Sequence, residues 1–500
     1  MLGLTEVGYR AVPEDYFIRR QLRRHARTWS IFAFGVGTVI AGEFAGWNPG
    51  LHHGGFGGLL AATLVVGVLY ITMCASLAEM AAAMPFAGAA YAYGRAALGA
   101  WGGFLAGLTQ GAAALLTSSV FAVQIGDTLE PAIERLAGVD LPRPLYWAVL
   151  YVIFGWINIY GVALFFRVAA TLCFAAIAVL LFYFAEALPM FEGHLALNTP
   201  ARFGATPWLP NGLVSVAWAL PFAVWFFVDI EQTPMAAEET HDPERVIPAA
   251  MIYGILALAV LALGVLFLNS GVPPGAATMG EVKEPLLTAF QSVLAFHLPY
   301  GVLPLVYLVG LVASFHTSVY VYSRSIYALS RAGYIPSELS LTLPGRKTPH
   351  YAIIVGTVLS YALALVIHLA PGNGSVAITL INMSVFSALV SYLFTMTSYI
   401  VLARDHPDMS RPFASPFGVT GAMTALLIAL AAVLLLFANP EFRSGLYATA
   451  VLLVAGIVYF VARRRHRLIA APEETFALAL KDREKAAPPA AAASLPAGAE

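Results

Sequence analysis

The chain has 500 residues; 59% are hydrophobic, only 11% are charged, and the formal net charge is −1. Soluble domains carry about 25% charged residues, so this composition excludes a soluble globular protein and predicts one that is almost wholly membrane. The near-neutral charge gives no reason to expect a nucleic-acid partner, and nothing in it points to a protein partner; the expected surroundings are a lipid bilayer.

Residues 1–28 form a polar, Arg-rich arm without a cleavable apolar core, so the first membrane helix is expected to serve as the targeting signal. A helix needs about 20 apolar residues to cross a bilayer. Twelve such segments are predicted, at 29–50, 57–84, 97–128, 144–162, 164–189, 212–235, 245–271, 290–330, 349–370, 375–403, 417–438 and 444–463. The eighth is too long for one span, and Pro299 and Pro304 predict a loop followed by a span from near Leu303. Trp29, Trp47, Trp101 and Trp147 fall near span ends and read as interfacial anchors. Cys74 and Cys173 sit in apolar runs and read as small core residues, with neither disulfide nor metal spacing. The stretch 468–500, ending in a Pro- and Ala-rich run from Pro488 to Glu500, is expected to be disordered.

Lys and Arg placement predicts the orientation. With the N-terminus cytoplasmic, 22 of the 27 fall on the inside and five on the outside. An even number of spans and two cytoplasmic termini follow, in a multi-pass protein of the cell membrane.

Two segments break the rules of a membrane helix. The first carries Gly35, Gly37, Gly42 and Gly46 with Glu43 among them. The sixth carries Pro221 and Pro234 with Asp229 and Glu231 between them. A loosened backbone is tolerated in a bilayer only where it is buried in protein or lines a cavity. A carboxylate at the helix centre costs about 2.5–3.5 kcal/mol on insertion scales. Both features together predict a ligand site, and hence transport. The odd helices stand five apart, which predicts inverted repeats of five helices at 29–189 and 212–403, with two further helices at 417–463.

Three stretches carry a resemblance: Glu79 to Leu98 and Gly99, with Pro85, Gly88, Tyr91 and Tyr93; Ala236 to Pro248, with Glu238, Glu239 and Asp242-Pro243; and Tyr322 to Pro336, with Arg324, Arg331 and Gly333, followed by Lys347-Thr-Pro349. Together they resemble the amino acid–polyamine–organocation (APC) permeases. Within that superfamily, Gly35 to Trp47, Pro221 to Phe227 and Ala313 to His316 look like ethanolamine permeases. Two positions depart from that pattern. The third helix reads Leu116-Thr-Ser-Ser119-Val where those permeases carry Phe-Ala-Pro-Pro, and position 229 is Asp where a small residue is usual. The resemblance implies an all-α fold of twelve helices, a 5+5 inverted repeat with helices 1 and 6 broken. It further implies that backbone N–H groups of helix 1, around Gly37, Ala41 and Gly42, face the substrate. Some related proton-coupled permeases carry a lysine in the fifth helix; here none lies between Arg167 and Arg202.

Glu43 at that break would repel a substrate carboxylate and attract an ammonium. At about 4 Å and an effective dielectric near 20 the attraction is roughly 4 kcal/mol before desolvation. The expected substrate is therefore a small organic amine such as ethanolamine, with a zwitterionic amino acid as the alternative if Glu43 faces an outer vestibule instead. Asp229 and Glu231 are candidates for binding substrate or, with Glu43, for carrying a proton; otherwise they cap the broken backbone or pair with His316, which is itself either a core histidine or a site residue with a gating or proton role. Trp225, Phe226 and Phe227 offer aromatic faces to an ammonium or fill the bundle, and Phe44 is a candidate lid. Ser314, with Ser118, Ser119 and Ser318, either meets a substrate hydroxyl or bonds helix backbone. Glu238 and Glu239 with Arg95 or Arg331 are candidates for an intracellular gate. No cofactor or metal is expected; the coupling ion is H+, or else Na+. No His-Glu-x-x-His or partnered Gly-x-Ser-x-Gly suggests an enzyme. A channel would not need paired broken helices, and a substrate sensor on a transporter fold is a distant third reading.

Overall fold

The first apolar segment folds as two helices, α1 (Thr28–Val39) and α2 (Ala41–Phe44), interrupted at Ile40. The structure is a computed structural model that describes residues 7–202, 204–370 and 375–486. After an extended Ala45 the chain enters α3 (Pro49–Ala83), which is kinked at Gly55, where φ is +64°. There follow α4 (Ala90–Ala137), α5 (Arg143–Tyr160) and α6 (Val162–Ala187). The sixth apolar segment begins as α7 (Val214–Ala223), tightens into a 3-10 turn at Val224–Phe226, and passes through Asp229 in the left-handed region (φ +81°). It ends as a second 3-10 stretch, Ile230–Glu239. Pro221 and Pro234 remove two backbone donors here, and a regular helix cannot be propagated through them.

The remainder is α8 (Pro243–Gly271), α9 (Pro285–Val293), α10 (Leu303–Arg331), α11 (His350–Leu369), α12 (Ser375–Asp405), α13 (Gly418–Ala438), α14 (Arg443–Tyr459) and α15 (Pro472–Ala486). As the prolines foretold, the eighth apolar segment divides into α9 and a long α10 starting at Leu303. Among the described residues, ten helices are long and apolar enough to cross a membrane. The other two expected spans fall short for visible reasons. Thr28–Phe44 is cut by its break, and the 18-residue α5 is diluted by tyrosine, tryptophan and asparagine.

Two expectations need correction. Trp47 and Trp147 are fully buried rather than interfacial. Trp47 stacks on Phe226 at 5.4 Å, and Trp147 packs edge-on to His368 at 5.2 Å; Trp29, by contrast, is exposed. The tail is not disordered from residue 468. Leu468, Ile469 and Ala471 are buried, α15 follows, and its Glu473 and Glu474 are 1% and 0% exposed. The tail is held by buried apolar residues, among them Leu468, Ala471, Ala477 and Leu480, and by Glu473 and Glu474, which reach Arg331 and Arg95. The Pro- and Ala-rich run 488–500 lies outside the described residues.

Candidate functional site

The two interrupted segments touch at their breaks. A side chain on Gly42 would collide with the carbonyl oxygen of Trp225, so only glycine allows the two backbones to meet there. Thr38 Oγ1 reaches the carbonyls of both Gly35 (2.6 Å) and Asp229 (3.1 Å), joining the segments a second time. Ser314 of α10 closes the first break. Its Oγ accepts from the Ala41 N–H at 2.9 Å and donates to the Gly37 carbonyl at 2.8 Å. The loose donor and acceptor of an interrupted helix are thus satisfied by one hydroxyl, and Ser314 serves backbone rather than a substrate hydroxyl. Ser119 and Ser318 likewise donate to carbonyls of their own helices.

Three carboxylates lie around this junction. Glu43 is completely buried, and neither of its oxygens has a hydrogen-bond partner. Asp229 and Glu231 are each 5% exposed. The Gln232 amide donates to Glu231 Oε1 at 3.1 Å and to Asp229 Oδ1 at 3.4 Å, and accepts from Gln110 Nε2 at 2.8 Å. Glu231 Oε2 has no partner. Among the described residues no Lys, Arg or His side chain bonds to any of the three acids. His316, the expected partner, is elsewhere: its Nε2 meets the Phe165 carbonyl at 3.2 Å, and its ring packs between Phe154 and Phe165. Its Nδ1 is buried without a hydrogen-bond partner.

The aromatic residues divide by role. Phe226 stacks on Trp47, and Phe227 stacks on Tyr70 at 5.5 Å. Trp225 stays half-buried, with its ring over the Cα of Gly46. Phe44 packs against Tyr307 (5.7 Å) and Phe290 (6.5 Å). Tyr307 in turn lines a cavity of about 960 Å³, open to one end of the bundle and bordered by Asp127, Arg143, Lys283 and Glu284. Phe44, next to Glu43 in the chain, thus packs on a residue of the vestibule wall.

The opposite end is sealed by ion pairs. Arg324 reaches Glu239 at 2.8 Å, with both side chains buried. Arg331 bonds Glu238 (2.5 Å) and Glu473 (2.9 Å). Arg95 bonds Glu474 (2.6 Å), which also accepts from Tyr9, Tyr91 and Tyr334. Arg411 bonds Glu79 at 3.0 Å. The N-terminal arm joins the seal: the Gly8 N–H donates to the Arg465 carbonyl (2.9 Å) and the Leu468 N–H to the Gly8 carbonyl (3.0 Å).

The structure thus brings Gly37, Ala41, Gly42, Glu43, Trp225, Asp229 and Ser314 to one junction, with Glu231 linked to it through Gln232. Reading the sequence missed Gln110 and Gln232, which come from distant segments. It also missed Glu473 and Glu474, although Pro472 followed by two acids is a recognisable helix start.

Residues 31–468 match the family described as "Amino acid permease". Similar proteins include an uncharacterized transporter of Rhizobium meliloti, 26% identical over 80% of this chain and 83% of its own. The branched-chain amino acid permease BcaP of Bacillus subtilis is 25% identical over 89% of this chain and 94% of its own. The gamma-aminobutyric acid permease of Escherichia coli is 26% identical over 76% and 80%. Members of this family are transporters and not enzymes, and the interrupted helices and multiple apolar spans are those of a carrier for small polar solutes. With the match extending over most of its length, the chain belongs to the amino acid permease family.

Proposed function

We propose that this protein imports an amino-acid-type solute across the cell membrane by alternating access, with the substrate ammonium held at Glu43 beside the two broken helices. The observation that carries the reading is the pair of unpartnered Glu43 oxygens, buried where the segments meet. A buried ion without a counter-charge is costly, and a cationic guest offsets that cost. The names of the branched-chain and gamma-aminobutyric acid permeases favour an amino acid over a simple amine. Glu43 itself favours a second reading, an ethanolamine-like amine, because a substrate carboxylate near it would be repelled. A substrate whose ammonium and carboxylate are well separated, as in an ω-amino acid, meets both considerations.

The topology we infer has twelve spans, counting Thr28–Phe44 and α5 as short ones. Two inverted repeats (29–189 and 212–403) are followed by a helix pair at 417–463, and both termini are cytoplasmic. The split of basic residues supports the orientation. On this reading the ion-paired end faces the cytoplasm and the vestibule faces out. H+ or Na+ drives uptake, with Asp229 and Glu231 as the groups that answer to the ion.

The test is a thermal-shift screen of purified protein, followed by uptake into liposomes, with leucine, γ-aminobutyrate and ethanolamine. A shift and saturable uptake with an amino acid support the first reading. A response to ethanolamine alone replaces it with the second. Binding of either without flux would make the protein a sensor.

A further inference from the structure

Glu231 and Gln110 end in two bare oxygens that share one hollow. The orientation of the amides between them follows from elementary chemistry. An ionised carboxylate only accepts hydrogen bonds, so Gln232 must present its NH2 to Glu231 Oε1 (3.1 Å). The Gln232 oxygen then faces Gln110 Nε2 (2.8 Å), which turns Gln110 Oε1 onward, buried and without a partner. Glu231 Oε2 is buried and unpartnered as well. Both residues line a small cavity with Ser391, Tyr392 and Thr395 on its polar side and Met73, Leu77 and Ala90 on its apolar side, and the space is about that of a single water. Thr395 has spent its proton on the Ser391 carbonyl at 2.7 Å, and the Tyr392 hydroxyl shares a hydrogen bond with Tyr70 at 3.0 Å. The wall thus carries two bare acceptors, Glu231 Oε2 and Gln110 Oε1, with the hydroxyls of Ser391, Tyr392 and Thr395 beside them.

Charge decides what suits it. Asp229 and Glu231 have no basic side chain bonded to them among the described residues. A neutral water would bridge the two oxygens and leave the carboxylates uncompensated. We propose that this cavity is a site for a dehydrated monovalent metal cation, Na+ in preference to K+, held by Glu231, Gln110 and the hydroxyls of Ser391, Tyr392 and Thr395. Hard cations take oxygen ligands, and the small volume selects the smaller ion. The ligands come from α4, the 3-10 stretch Ile230–Glu239 and α12, so an ion there ties three elements together next to the broken sixth segment. That the ion drives uptake rests on the transport reading above; that it binds does not.

The experiment titrates purified protein with NaCl against choline chloride at constant ionic strength and pH, reading melting temperature and tryptophan fluorescence. Wild type is expected to show a saturable Na+ response that KCl does not reproduce. Glu231→Gln should abolish it, and the milder Ser391→Ala should weaken the apparent affinity about tenfold, a loss of ~1.4 kcal/mol. An equal response to choline, a response that follows pH and not Na+, or an unchanged Na+ affinity in both variants would overturn the site. A Na+ response without any shift by leucine, γ-aminobutyrate or ethanolamine would sink the transport reading and leave the site standing. A solute response with no Na+ response would do the reverse.

Discussion

The ends and the centre of this bundle treat buried acids in opposite ways. At the basic end, Glu79, Glu238, Glu239, Glu473 and Glu474 each meet an arginine. At the centre, Glu43, Asp229 and Glu231 meet none. Glu238 is part-buried and the other acids of both sets are buried, so burial alone says nothing of role. A buried acid with a permanent counter-charge holds structure together. One without it, on the function proposed above, is the place for a charge that arrives and leaves.

Breaking a permanent pair should have the largest effect. Arg324→Ala leaves Glu239 as an uncompensated buried charge, and removing one partner of such a pair costs about 3–5 kcal/mol. The variant is expected to unfold in detergent at a markedly lower temperature, and Glu239→Gln added to it should recover most of the loss. If the single variant melts like wild type, the pair is not structural.

The central set should behave inversely. Glu43→Gln removes a charge that no protein group balances, so its melting temperature should equal or exceed that of wild type. Substrate affinity should nevertheless drop about 100-fold, two decades at ~1.4 kcal/mol each. Normal uptake by this variant would erase the distinction between the two regions.

A subtler test lies where two acids share one arginine. Burial pushes the Glu473 carboxyl up from 4.5 to about 7, with Arg331 opposing the rise and Glu238 adding to it. The docked tail then holds an extra proton between those values, so docking is strongest below pH 4.5 and is lost progressively as pH rises through 7. Hydrogen-exchange protection along 472–482, corrected for the base-catalysed intrinsic rate, should fall from pH 6 to pH 8 by at most about tenfold per pH unit. Glu473→Gln should flatten that slope, and a slope of the opposite sign would show that Arg331 dominates.

The smallest effect is expected at Trp225. Its neighbours Phe226 and Phe227 are committed to Trp47 and Tyr70, which leaves the half-buried Trp225 as the aromatic face for an ammonium. Trp225→Leu should weaken substrate binding by a few-fold, in keeping with about 0.5–2 kcal/mol for a cation over a ring.

How much of this could be read from the chain depended on whether the signal was local. Glycine and proline inside an apolar run mark a break wherever the run ends up, so both interruptions were legible, as were the acids beside them. The break in the first segment is narrower than its four glycines suggested, because Ser314, 273 residues from Ala41, mends it. Pairings across such distances leave no trace in spacing. Gln110 with Gln232, and Arg95 with Glu474, are 122 and 379 residues apart. The neighbour of His316 was invisible for the same reason: it is a backbone carbonyl, which any residue could supply.

Cys74 and Cys173 are both buried, and this quiet feature makes the molecule convenient to observe. Thiol reagents in water should leave both untouched, so no cysteine-free background is needed before new ones are introduced. Ala11 and Arg467 are exposed and flank the point where the two chain ends meet. A dye at each would report, as a change in light, whether that contact parts during the transport cycle proposed above.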